Sequence, residues 1–132
     1  PVGSVLLGNH DFIHKAKRVR KVLGGGMRQA GYLAAACIYA IDHHVELLKD
    51  DHRRAKEIES VLLNLDYVKD VLPVETNILI FVLDNASLLV DYLKTKNIYC
   101  SAVSQNKIRF VTHFQFSDDM FKLLKEALIS YS

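Results

Sequence analysis

The sequence contains few cysteines, prolines and glycines, the residues that characterise several classes of protein. Among its 132 residues are two cysteines, two prolines and six glycines, which excludes a disulfide framework, a collagen-like repeat and a low-complexity chain. Long apolar runs are missing too, because none approaches the roughly 18 to 20 residues that a membrane span requires. We therefore expect a soluble globular protein of the cytoplasm, with its thiols kept reduced.

The charges are unevenly distributed along the sequence. Six Lys or Arg against Asp11 alone leave residues 1–28 with a net charge of +5, and the remaining residues carry −3. A basic start on a mildly acidic chain indicates an anionic ligand or partner near the N-terminal quarter. Nucleic acid is disfavoured, because the basic run at 15–21 lacks the interleaved aromatics that stack on single strands. A solvated helix face is the alternative for most of these charges.

The first part of the chain is predicted to contain one short strand and then helices. Ser4–Leu7 is an apolar run bracketed by glycines, which predicts a buried strand. Further strands occur only much later in the sequence, so we expect the chain to be a piece of a longer protein. Asn9 or Asp11 would cap a helix that runs to about Lys21.

A second helix is predicted from Met27, and its small residues indicate that it is buried. The helical pattern continues from about Glu46 to Leu65 but becomes amphipathic, which places a domain boundary near residues 46–52. After Pro73 the pattern predicts a strand at 77–83, a helix at 86–96, strands at 98–101 and 107–112, and a last helix capped by Ser117. This β-α-β-β-α order is typical of a small sheet with helices on one face.

The segment GGGMRQ at positions 24–29 is the strongest local motif. Gly24, Gly25 and Gly26 allow close backbone approach, and they lead into a helix whose first N–H groups attract an anion. Arg28 adds a bidentate donor at the same place. The alternative is a flexible glycine turn between two helices, and spacing alone leaves both open.

Arg109 is the second candidate binding residue, on the predicted strand KIRFVTH at 107–113. Alternation puts Arg109 on the same face as Val111 and opposite Ile108 and Phe110. On that face an arginine either meets solvent, the usual case, or forks onto a carboxylate in a cleft.

A metal site is not expected. His43 and His44 point about 100° apart on a helix, and the sequence has neither an H-E-x-x-H motif nor a Cys-rich ligand set. Cys37 and Cys100 have no basic neighbour placed to lower the pKa of either thiol, so both are interpreted as structural.

Several of these segments together resemble the threonine aldolase family of pyridoxal-phosphate enzymes. They are PVGSVLLG at 1–8, the pair Arg20 and Lys21, GGGMRQAG at 24–31, LAAA at 33–36 and IRFVTH at 108–113. The resemblance runs from the first residue almost to the last, and GGGMRQ at this distance after PVGS is specific to the family.

The resemblance implies an α/β fold, the C-terminal part of a fold type I pyridoxal-phosphate enzyme. Residues 1–48 would be the end of the large cofactor-binding domain, and residues 49–132 the small C-terminal α+β domain. In the family, the lysine that forms the Schiff base with pyridoxal phosphate lies a few residues before the PVGS motif. No catalytic residue is therefore expected within this chain, and the chain alone should be inactive without the upstream part of the enzyme.

The resemblance also implies roles for individual residues. Arg109 matches the family arginine that binds the α-carboxylate of a small amino-acid substrate. Lys21 and Arg28 match basic residues near the active site, where they would serve the pocket of an adjacent subunit. The glycine triplet at 24–26 would let the chain pass close to that pocket.

The activity implied is cleavage of L-threonine or L-allo-threonine to glycine and acetaldehyde, by a homodimer or homotetramer that uses pyridoxal phosphate. One alternative is a related β-eliminating amino-acid lyase with the same cofactor, since a shared scaffold does not fix which bond is broken. Another is a non-catalytic interaction module.

Overall fold

The computed structural model of the chain describes residues 4–131. The chain divides into two compact units, which meet in sequence between Val45 and Glu46. The elements follow in the order α1 (His10–Val22), α2 (Gly31–His43), α3 (Leu48–Leu62), β1 (Asp70–Val71), β2 (Ile78–Val82), α4 (Ala86–Thr95), β3 (Ser101–Ser104), β4 (Lys107–Val111) and α5 (Asp118–Ile129).

The first unit contains two helices joined by the glycine turn. α1 begins at an N-cap in which the Asn9 side chain accepts a hydrogen bond from the Phe12 amide at 2.9 Å. The helix ends before Gly24, whose φ of +86° is open to glycine without strain. α2 begins later than the predicted Met27, because Gln29 has a φ of 54°, outside the helical range.

Two expectations for the first unit are wrong. Ser4–Leu7 forms no strand and is exposed, because a strand needs hydrogen bonds to a partner and no described residue of the first unit supplies them. α2 was expected to be buried, yet none of its residues is. Its apolar side chains, such as Ile38 and Ile41, are exposed because the described residues of this unit form no layer over the helix.

The helical pattern from Glu46 to Leu65 is confirmed only over α3. Residues 44–47 form turns instead. There the amides of Lys49 and Asp50 donate to the carbonyls of Glu46 and Leu47, three residues earlier. Such tight turns interrupt the α-helical ladder.

The second unit is a four-stranded antiparallel sheet with the strand order β1-β2-β4-β3. Leu79 and Phe81 of β2 pair with Phe110 and Ile108 of β4, and all four side chains are buried on one face. That face shares a single core with three helices, through Ala55, Ile58 and Leu62 of α3, Ala86, Leu89 and Leu93 of α4, and Leu124, Ala127 and Leu128 of α5. The predicted sheet with helices on one face is therefore confirmed.

β3 lies farther along the chain than predicted. The end of α4 forms a Schellman cap, in which Asn97 has a left-handed φ of 59° and the Ile98 amide donates to the Leu93 carbonyl at 2.9 Å. Residues 98–100 leave this cap without strand pairing, so the strand starts at Ser101. Its pairing with β4 shifts register between Ala102 and Ser104.

An ion-pair cluster joins the start of α5 to α3. Arg54 Nε donates to Asp118 Oδ1 at 2.8 Å, and Arg53 Nη2 donates to the same oxygen at 2.9 Å. Hydrogen bonding to the guanidinium of Arg54, and next to that of Arg53, lowers the pKa of Asp118 to about 2.

We expect this cluster to make stability depend on acid pH. Because the pKa of Asp118 lies below its ordinary value of 3.8, its stabilising effect is present above that value and is lost as the pH falls toward 2. The free energy of unfolding of Asp118→Asn should therefore fall less steeply with acid than that of the unmodified chain. Urea denaturation followed by circular dichroism at a series of pH values measures both slopes.

The matched control is Asp119→Asn, since Asp119 pairs with Lys122 in its own helix at 2.9 Å and makes no other ion pair among residues 4–131. This control should retain the steep acid dependence of the unmodified chain. Equal slopes for Asp118→Asn and the unmodified chain would contradict the assignment.

Candidate functional site

Arg109 lies in the middle of β4, on the sheet face opposite the helices. Its Cα pairs with Ile80 on one side and with Ser101 on the other. The adjacent Ile108 and Phe110 are buried whereas Arg109 is exposed, so the predicted alternation is confirmed. Its guanidinium makes no hydrogen bond or ion pair with any residue in the range 4–131, which leaves its five N–H donors for a ligand.

A cavity of about 370 Å³ opens beside Arg109. Its polar lining includes Arg109, Tyr99, Ser101, Thr112 and His113, and Ile58 of α3 contributes to its apolar wall. Ligand sites in proteins span roughly 300–1,000 Å³, so this cavity suits a small molecule. A cationic fork beside small polar groups is suited to a carboxylate.

His113 is a lining residue to which sequence analysis gave no role. Its Nδ1 accepts a hydrogen bond from the Gln115 amide at 3.3 Å, so the neutral ring carries its proton on Nε2. The available signal was its position two residues beyond the strand that carries Arg109. The imidazole therefore offers a donor at the same cavity as the guanidinium.

The glycine turn folds back onto the last turn of α1. The Gly25 amide donates to the Arg20 carbonyl at 2.7 Å, and a Cβ on Gly25 would lie 2.6 Å from Arg20 Cγ. A Cβ on Gly26 would lie 2.7 Å from Lys21 Nζ. Only glycine at 26 therefore leaves room for the ammonium of Lys21 in its observed position.

The predicted site residues thus fall into two groups. Lys21, Gly25 and Gly26 line one cavity of about 320 Å³ in the first unit, together with Arg20. Arg28 is exposed and is not among the residues that line it. Arg109 belongs to the cavity of the second unit. The first cavity offers two cationic side chains at a glycine turn, an arrangement suited to an anion.

The cysteines and the possible metal ligands among residues 4–131 indicate no second site. Burial raises the pKa of the Cys100 thiol, which disfavours the reactive thiolate, and Cys37 is half-buried. Over residues 4–131 there is no group of three side chains able to hold a metal ion. Within the same range, no helix combines the length and apolar character needed to cross a membrane.

Comparison with known protein families places this geometry in context. The family model described as beta-eliminating lyase matches residues 1–86, more than half of the chain. The chain belongs to the beta-eliminating lyase family. The family resemblance inferred from the sequence motifs is therefore confirmed.

Several relatives are threonine aldolases by name. The low specificity L-threonine aldolase of Escherichia coli (strain K12) is 42% identical over 119 residues, which are 89% of this chain and 34% of that protein. A probable low-specificity L-threonine aldolase of Schizosaccharomyces pombe is 38% identical over 128 residues, covering 97% and 32%. The low-specificity L-threonine aldolase 1 of Arabidopsis thaliana is 37% identical over 123 residues, covering 89% and 34%. The chain spans about a third of the length of these relatives.

Solved structures with the same fold include two of C-DES. One is a C-DES mutant with glycine covalently linked to its PLP cofactor, and the other is the cystine C-S lyase C-DES in complex with its product cysteine persulfide. Each superposes with a TM-score of 0.61 at 20% sequence identity, over 78% of this chain and 29% of that chain. The predicted fold class, the C-terminal part of a fold type I enzyme, is confirmed.

Alanine substitutions across the glycine turn should differ in their cost. Gly24→Ala forces a side chain onto a φ of +86°, which we expect to destabilise by about 1–2 kcal/mol. Gly26→Ala meets only the end of the flexible Lys21 side chain, so it should cost less than about 0.5 kcal/mol. Chemical denaturation of the protein compares the two variants. A larger cost at Gly26 than at Gly24 would show that the turn has another conformation.

Proposed function

We propose that the full-length protein containing this chain is a pyridoxal-phosphate-dependent threonine aldolase that cleaves L-threonine or L-allo-threonine to glycine and acetaldehyde. The observation that carries the proposal is the free guanidinium of Arg109 beside a small polar cavity, within the IRFVTH motif at 108–113. Relatives named low-specificity L-threonine aldolase, 37–42% identical, support the substrate.

In this proposal, residues 1–48 are the end of the large cofactor-binding domain and residues 49–132 are the small C-terminal domain. The upstream part of the enzyme supplies the lysine that binds the cofactor. One observation supports further polypeptide around this chain. The apolar helix α2 has no buried residue.

The enzyme is further proposed to be a cytoplasmic homodimer or homotetramer. Lys21 and Arg28 then serve the active site of an adjacent subunit, with the turn at 24–26 beside it. The fit of this chain to an anionic cofactor rests on Lys21, whose ammonium lies over Gly26 and makes no ion pair with a described residue. That ammonium would contribute to holding the phosphate or carboxylate group of a ligand.

The geometry of a guanidinium supports the proposed role of Arg109. A guanidinium binds a carboxylate through two parallel hydrogen bonds, which fixes both the position and the rotation of the bound amino acid. The Cα–Cβ bond of threonine is then held in one orientation. Pyridoxal phosphate, when bound, supplies the electron sink that stabilises the carbanion left at Cα. In this cavity, His113 offers its Nε2 proton to a polar group of the substrate.

A second candidate function is a β-eliminating amino-acid lyase with the same cofactor. The family description and the fold shared with the cystine C-S lyase C-DES favour it. Both activities need Arg109 to bind the carboxylate of the substrate, so the reaction products distinguish the two functions. Release of glycine and acetaldehyde from threonine supports the aldolase, whereas turnover of cystine with no turnover of threonine supports the lyase.

The isolated chain should show no activity. It contains the proposed carboxylate ligand but not the proposed cofactor lysine, so nothing anchors the electron sink of the cofactor beside the substrate. Purified residues 1–132, mixed with pyridoxal phosphate and L-threonine, should release no acetaldehyde above the level of the cofactor alone. The full-length protein is the positive control. Acetaldehyde release from the chain by itself would refute the division of roles.

Arg109→Ala in the full-length enzyme should lower kcat/KM for L-threonine about 100-fold, because charged hydrogen bonds to the carboxylate contribute about 3 kcal/mol in total. Arg109→Lys should recover only part of the activity, since an ammonium cannot form the fork. The matched control is Lys107→Ala, which removes a cation from the same strand and face and should change kcat/KM less than about twofold. Unchanged kcat/KM in Arg109→Ala would overturn the assignment.

A further inference from the structure

We propose that Thr112 is a positioning residue for Arg109. Its buried hydroxyl ties the end of β4 to α3, and so fixes where the guanidinium stands at the cavity. The inference deepens the proposed function and rests on it, since it takes Arg109 as the ligand of the substrate carboxylate.

The first step of the argument is the hydrogen bond of the Thr112 side chain. Thr112 Oγ1 donates to the main-chain carbonyl of Asp51 at 2.8 Å, across 61 residues of sequence. Both partners are buried, with Thr112 only 2% exposed and Asp51 4%. A hydrogen bond shielded from water in this way holds its geometry more firmly than an exposed one.

The second step concerns the main chain of Thr112. Its amide donates to the Asn77 carbonyl at 2.9 Å, and the Asn77 side-chain amide donates back to the Thr112 carbonyl at 2.7 Å. This reciprocal pair continues the β2–β4 pairing one residue beyond Ile78 and Val111. The end of β4 is thus held by Asn77, the residue before β2, through two hydrogen bonds to the main chain of Thr112, and by α3 through the Thr112 hydroxyl.

The third step links this clamp to Arg109. Ile108 and Phe110 are buried on the inner face of β4, and Thr112, one residue beyond the strand, is buried as well. Arg109 lies on the outer face of β4, three residues before Thr112. The cavity beside Arg109 is lined by Thr112 and by Ile58 of α3. The Thr112 hydroxyl therefore fixes the position of β4, which carries the guanidinium, relative to α3, which forms one wall of the cavity. A displacement of about 1 Å is enough to weaken a bidentate contact severely.

The test measures ligand binding by the full-length enzyme with its cofactor. Glycine carries the carboxylate that Arg109 would bind, and glycinamide replaces it with a neutral amide. Thr112→Val keeps the shape of the side chain but removes the donor. We expect it to raise the Kd for glycine about tenfold, while the Kd for glycinamide changes less than about twofold. Absorbance of the bound cofactor reports both titrations.

Two further variants separate positioning from simple loss of stability. Thr112→Ser restores the hydroxyl and should recover glycine affinity to within about threefold of the unmodified enzyme. Thr95→Val is the matched control, because the Thr95 hydroxyl donates to the Tyr92 carbonyl at 2.7 Å within α4 and is exposed. It removes the same kind of hydrogen bond far from β4 in sequence, and it should leave both Kd values unchanged.

The double variant Arg109→Ala with Thr112→Val decides how the residues are coupled. If Thr112 acts through Arg109, adding Thr112→Val to Arg109→Ala should cost no further glycine affinity. Equal losses for glycine and glycinamide, or additive losses in the double variant, would overturn the positioning role. Glycine affinity untouched by Arg109→Ala would instead refute the proposed function, so the two failures are distinguishable.

Discussion

The antiparallel pairing of β2 with β4 is the constraint on which the second unit depends. Its register opposes Leu79 to Phe110 and Phe81 to Ile108, and it buries all four side chains. Side chains alternate along a strand, so a slip of one residue would bury the charge of Arg109 and expose two large apolar groups. Burial of the apolar side chains on one face of β4 thereby directs the charged side chain of Arg109 to the opposite face.

Hydrogen bonds to α3 also fix the loop that connects β4 to α5. The segment from Thr112 to Asp118 leaves β4 and enters α5, and both of its ends are fastened to α3. Thr112 bonds to the Asp51 carbonyl, and Asp118 bonds to Arg54. The intervening His113 therefore belongs to a loop that is anchored at each end. A rigid frame around a short loop is a common arrangement for binding side chains.

Local signals in the sequence predicted the features that depend on neighbouring residues alone. Asn9 and Ser117 cap their helices as expected, and the alternation around Arg109 follows from the strand period. Two features that depend on more than adjacent residues were not predicted. The start of β3 depends on the left-handed conformation of Asn97, which needs the whole Schellman cap of α4. The apolar composition of α2 predicted burial, but burial requires a covering layer that local sequence does not specify.

The candidate site was likewise predicted only in part from the sequence. Arg109 was identified because a charge between apolar neighbours is conspicuous, Gly26 was identified as part of the local glycine motif, and Lys21 was identified through the family resemblance. The packing of the Lys21 ammonium over Gly26, which a Cβ at 26 would displace, needed coordinates. Finally, the register shift between Ala102 and Ser104 has a consequence for solubility. β3 is one of the two edge strands of the sheet, and an irregular, four-residue edge strand is a poor template for intermolecular strand addition and fibrillar aggregation.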